Sequence, residues 1–75
     1  MTELVKYIAQ SLVDHPEEVT VTEVQGEQAL ILELRVAPDD MGKVIGKQGR
    51  IAKAIRSVVK AASLKSGQNV LVEIV

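Results

Sequence analysis

The stretch Gly42-Lys43-Val44-Ile45-Gly46-Lys47-Gln48-Gly49-Arg50-Ile51 decides how the rest of this 75-residue chain is read. Three glycines fall within eight residues of otherwise good helix-forming sequence. Each glycine inside a helix costs about 1 kcal/mol relative to alanine, so Gly46 and Gly49 must do something that a side chain would prevent. A Gly-x-x-Gly turn between two helices takes up φ > 0 and lets another backbone approach closely. It also leaves free amides at the start of the second helix, where they and the positive end of the dipole suit a phosphate. Lys47 lies within the turn and Arg50 just after it, so both add charge where a phosphodiester would pass.

Other glycine motifs fit this segment less well. A Walker A loop needs G-x-x-x-x-G-K-[ST], but the step from Gly42 to Gly46 is one residue short. Gln48 also stands where a hydroxyl would bind Mg²⁺. The G-x-G-x-x-G dinucleotide fingerprint is absent, and this loop follows a helix where that motif follows a strand. Gly42 and Gly46 do not make a membrane dimer face, because charges surround them.

Outward from the loop, Arg50 to about Leu64 reads as a long helix with Ile51, Ile55, Val59 and Ala62 at core spacing. Ser66-Gly67-Gln68-Asn69 breaks the chain, and Val70, Val72 and Ile74 alternate in a last strand. Upstream, Pro38-Asp39-Asp40 opens a short helix, with the two acids as capping residues and Gly42 permitting its close packing. Leu30, Leu32, Leu34 and Val36 alternate with Ile31, Glu33 and Arg35 in a strand with one buried face. The β-branched run Val19–Val24 pairs with it across the turn Gln25–Gln28 as an antiparallel hairpin. Leu4, Val5, Ile8, Leu12 and Val13 place an amphipathic helix over residues 2–14, ended by Asp14-His15-Pro16. The order is α-β-β-α-α-β. A single α+β domain over residues 1–75 is expected, its three-stranded sheet covered on one face by three helices. If the second and third strands are neighbours, the long helical crossover between them makes them parallel.

Charge is divided unevenly along this order. Residues 1–40 hold Lys6 and Arg35 against nine acids, whereas residues 41–65 hold seven basic residues and no acid. The net charge of −1 therefore hides a basic patch, which is the footprint of a polyanion partner. The chain has no cysteine and one histidine, His15. A thiolate metal site, a His cluster and a Ser/His/Asp triad are thus excluded, and no enzyme chemistry or cofactor is expected. The longest apolar run, Ala29–Leu32, is far short of the ~20 residues that span a bilayer. Met1-Thr2-Glu3-Leu4 lacks the basic start of a secretory signal. A soluble cytoplasmic protein with no membrane partner is expected.

Val44-Ile45-Gly46-Lys47-Gln48-Gly49-Arg50-Ile51 resembles the V-I-G-x-x-G core of a KH domain, and the element order resembles the type II, bacterial form. Over nearly its whole length the chain is similar to the KhpA (YlqC) family of small bacterial RNA-binding proteins. The resemblance implies binding of single-stranded RNA, or single-stranded DNA, with the loop clamping about four backbone nucleotides. On this chain it implies that Gly46, Lys47, Gln48 and Gly49 hold the sugar-phosphate path. Val44, Ile45 and Ile51 would then line an apolar groove for bases, with Lys43, Arg50 and Lys53 nearby. The far wall would come from the second strand and the loop Lys65–Asn69. Composition agrees with this choice. RRM, cold-shock and OB modules stack bases on aromatic rings, and Tyr7 is the only aromatic residue here.

Arg56 and Lys60 lie further from the loop and read as a solvated face. The long helix is apolar beyond its core stripe: Ala54, Val58 and Ala61 extend it along one flank. Either this flank packs against the neighbouring helix, or it is a dimer face that buries surface a small monomer leaves exposed. The family resemblance adds self-pairing and a larger KH-containing partner to the expectations. Two functions follow. One is an RNA chaperone or post-transcriptional regulatory adaptor. The other is a protein-interaction subunit of a larger complex, with incidental RNA affinity.

Overall fold

Uninterrupted alternation makes the strand β2 (Leu30–Arg35) the centre of the sheet. In the computed structural model, which describes residues 1–75, it lies between β1 (Thr20–Gln25) and β3 (Val70–Ile74). β1 is antiparallel to it, with Thr20 opposite Arg35 and Gln25 opposite Leu30. β3 is parallel to it, with Leu30 beside Val70 and Leu34 beside Ile74. The helices are α1 (Thr2–Leu12), α2 (Met41–Ile45) and α3 (Arg50–Ser66). The expected α-β-β-α-α-β order and mixed sheet are present. Short 3-10 turns at Pro16–Glu18 and Pro38–Asp40 and a tight loop at Lys47–Gly49 complete the path. Helix α1 stops two residues earlier than periodicity alone predicts, because Val13 is already extended at φ −102°, ψ 162°.

The period of two puts Leu30, Leu32, Leu34, Val70 and Val72 on the helix-covered face, where all five are buried. Val5 and Ala9 of α1, Val44 of α2, and Ile55 and Val59 of α3 join them in one core cluster. Residues of opposite parity, such as Glu33, Arg35, Leu71 and Glu73, lie on the uncovered face. The buried stripe of α3 is Ala52, Ile55, Val59 and Ser63, with Ile51 and Ala62 at its margins. Ser63 thus takes the core position expected of Ala62. Its hydroxyl is satisfied by donating to the Lys60 carbonyl at 2.9 Å.

Asp40 corrects a further expectation. Its side chain caps no helix. It is 1% exposed and turns toward the end of α1, accepting from the amides of Asp14 (3.2 Å) and His15 (3.0 Å). Lys43 Nζ lies 3.7 Å from the same carboxylate and also donates to Asp14. Burial works to raise the Asp40 pKa. The two amide hydrogen bonds, with His15 and Lys43 nearby, more than reverse that and hold it below the usual carboxylate value. The Asp14 hydrogen bond likewise raises Lys43, against a smaller opposing effect of desolvation. One carboxylate therefore ties the start of α2 to the end of α1. Gly42, in contrast, serves no close packing: a Cβ built on it meets nothing within 4 Å.

Candidate nucleic-acid interface

Helix α2 ends at Gly46, whose φ of 77° and ψ of 175° belong to a region open to glycine alone. Gln48 (φ 58°) and Gly49 (φ 74°) are left-handed as well. Three of the four loop residues thus have positive φ, and one of them is not glycine. The Gly46 amide donates to the Gly42 carbonyl (2.8 Å), and the Gly49 amide to the Gly46 carbonyl (3.1 Å). A close approach does explain Gly46, though a side chain makes it, not a second backbone. A Cβ on Gly46 would stand 2.5 Å from Ile51 Cγ1 and 2.8 Å from Ile51 Cβ. At Gly49 only the φ matters, since nothing lies within 4 Å. No side chain caps the first turn of α3.

The loop presents Lys47 and Gln48 to solvent. Arg50 Nη2 donates to Gln48 Oε1 at 3.3 Å, which folds the guanidinium back along the loop. Lys53 is exposed one turn further on. Ile45 is on the surface and Ile51 is half-buried, but Val44 is wholly inside the core. Against expectation, Val44 therefore lines no surface groove, but supports α2 from within. Lys43 differs from the other cations of its block, because Asp14 and Asp40 hold it. Ion pairs occur only there and between His15 and Glu17, so Lys47, Arg50, Lys53 and Lys60 have no carboxylate within pairing distance.

Spacing of three and four residues lines up Arg50, Lys53, Ser57, Lys60 and Leu64 along one exposed face of α3. Arg56 lies beside this strip but is not simply solvated. Its Nε donates to the Val72 carbonyl at 3.2 Å, bridging α3 to the edge of β3. No local pattern signals this contact, which spans sixteen residues. Ala54, Val58 and Ala61 form the neighbouring flank and are exposed, Val58 by 47%. Ala54 and Val58, with Ile8, Leu12, Ile51 and Ile55, line an apolar groove of about 310 Å³ between α1 and α3. A second hollow of about 220 Å³ sits at the far end of α3. Ligand atoms of His15, Glu17 and Glu18 lie within 4.8 Å of one another, but all three residues are exposed. No helix is long and apolar enough to cross a membrane.

The family model for the KH domain of KhpA and KhpB matches residues 2–74. The chain belongs to this KH-domain family. A KhpA of Clostridium perfringens is 68% identical over 75 residues, covering all of both chains. A KhpA of Aquifex aeolicus is 47% identical over 74 residues, covering 99% of this chain and 94% of the relative. Both relatives carry the name RNA-binding protein KhpA, which is a binding protein's name and not an enzyme's. The KhpA/KhpB fold also recurs inside a larger protein. Era of Aquifex aeolicus, bound to GDP and AlF4⁻, superposes on 97% of this chain and 28% of its own, with a TM-score of 0.66 and 24% identity. Era in complex with MgGDPNP and nucleotides 1506–1542 of 16S ribosomal RNA superposes with a TM-score of 0.62, also at 24% identity.

Proposed function

We propose that this chain binds single-stranded RNA through the Gly46–Gly49 loop, as a cytoplasmic RNA chaperone or post-transcriptional adaptor. The observation that carries the reading is the junction of a left-handed loop, a helix start that no side chain caps and a strip of cations without carboxylate partners. The loop bends the strand's backbone past the amides of α3, and Lys47, Arg50 and Lys53 supply charge at the phosphates. The relatives named RNA-binding protein KhpA support the same reading. With ~3–4 phosphates neutralised, the logarithm of affinity falls with that of salt at a slope of about −2 to −3. Lys47→Asp combined with Gln48→Asp is expected to lower RNA affinity about tenfold or more with an unchanged circular dichroism spectrum. Wild-type affinity in that double variant would remove the clamp.

A second reading has its own observation. The Ala54, Val58 and Ala61 flank is not covered by a neighbouring helix, and it adjoins the apolar groove beside α1. A second copy of the chain, or a larger KH-containing protein, is the partner this surface suits. Val58→Asp is expected to convert a dimer to a monomer in sedimentation equilibrium, since a charge cannot be buried there unpaired. An unchanged mass would leave the flank without that role. If dimerisation persists while RNA binding proves independent of the loop, the protein-interaction reading is the correct one.

A further inference from the structure

The hollow at the end of α3 is bordered by Ser63, Leu64, Gly67, Gln68 and Asn69. It lies one helix length from the loop, ~25 Å for seventeen residues. The strip of Arg50, Lys53 and Lys60 runs from one to the other and ends on Leu64. The structure of the hollow is fixed from beneath. Gly67 closes α3 in the left-handed conformation, with its amide on the Ser63 carbonyl. The Ser66 hydroxyl and the Gln68 amide converge on that same carbonyl. Asn69 Nδ2 donates to the Gln28 carbonyl at 3.1 Å, and the Asn69 carbonyl accepts from Leu30, so this side is pinned to the hairpin. Above this frame, Leu64 is 74% exposed, an unusual position for leucine. The Gln68 amide group beside it is held by none of the hydrogen bonds that fix its neighbours.

We infer that this hollow takes one nucleobase of the bound RNA, adenine in preference to the others. The inference rests on the single-stranded RNA reading. Leu64 offers an apolar surface for the face of a base in a chain with no Phe or Trp to stack on. Gln68 offers an acceptor and a donor side by side, which match N6–H and N7 of adenine as a bidentate pair. The larger purine also covers more of Leu64 than a pyrimidine does. The cations between loop and hollow follow the phosphates. Loop and hollow then hold the two ends of one short strand.

The experiment compares octauridylate with eight octamers that each carry one adenosine, by fluorescence anisotropy at low salt. The best-placed adenosine is expected to raise affinity about fivefold or more, and Gln68→Ala to remove that gain. Gln68 is exposed, so the substitution leaves the core untouched. No gain at any position, or a gain that survives Gln68→Ala, overturns the inference. An NMR titration with the best octamer separates the two readings. Shifts at Gly46–Arg50 with none at Leu64–Asn69 overturn the base pocket and keep the clamp. Shifts at neither place overturn both.

Discussion

Gly46→Ala is expected to destabilise the protein by about 2–6 kcal/mol. Its φ and ψ alone cost a residue with a side chain ~1–3 kcal/mol. The overlap with Ile51 adds ~1–3 kcal/mol, because a Cβ would lie 2.8 Å from Ile51 Cβ, an atom that no rotamer change can move away. For 75 residues the total stability is only about 4–11 kcal/mol. The melting temperature should therefore fall by about 10 °C or more. Gly49→Ala provides the contrast. Its φ of 74° is also left-handed, but its Cβ meets open space, so the cost is ~1–2 kcal/mol. Thermal denaturation of the two variants side by side tests the distinction. Equal losses would mean that the contact with Ile51 is not what keeps Gly46 free of a side chain. RNA affinity should also fall in Gly46→Ala below its melting temperature, since relief of the overlap moves the loop relative to α3.

Asp40→Ala is expected to give the largest loss of any exchange of an acidic residue in the chain. The substitution strands the amides of Asp14 and His15 and withdraws an anion from Lys43. A fall in melting temperature of about 8 °C or more is anticipated, against almost none for the exposed neighbour Asp39→Ala. The pH dependence has a definite sign. The folded pKa of Asp40 lies below the ordinary carboxylate value of 3.8, so the folded state favours the charged form. Its stabilisation is complete above the unfolded value and is lost as the pH falls through the lower folded one. Asp40→Asn, which keeps the shape, should flatten the acid limb of a stability profile measured by urea denaturation. A profile parallel to that of the wild type would show that Asp40 is not a source of acid sensitivity.

Sequence periodicity captured what depends on neighbours along the chain. The alternation of Leu30, Leu32 and Leu34 located β2 and its buried face. The glycine pair located the break between α2 and α3. Contacts between distant segments were not legible in this way. Asp40 at a helix start looks like a cap, and nothing local says that Asp14 and His15, 26 and 25 residues away, need its oxygens. Arg56 looks solvated until β3 is laid against α3. Val44 belongs to the motif but faces inward, because a helix of five residues has one side for the core and one for the loop. Gln48 is left-handed although its own side chain does not favour that conformation, so its residue type gave no signal of it.

The parallel pairing of β2 with β3 has a consequence for when the molecule becomes competent. Leu30 and Val70 are neighbours in space but forty residues apart in the chain. Everything that forms the loop and its cationic strip lies in the connection between them. Closing so long a connection costs entropy that only the finished ladder and core return. The hairpin of β1 and β2 can form early from local contacts, whereas the face of α3 has no strand to rest on until β3 arrives. On the ribosome, where β3 is made after the loop, the nascent chain therefore exposes the glycine motif before the sheet that orders it is complete. The loop and the strip reach their final arrangement only when the last strand has zipped into place.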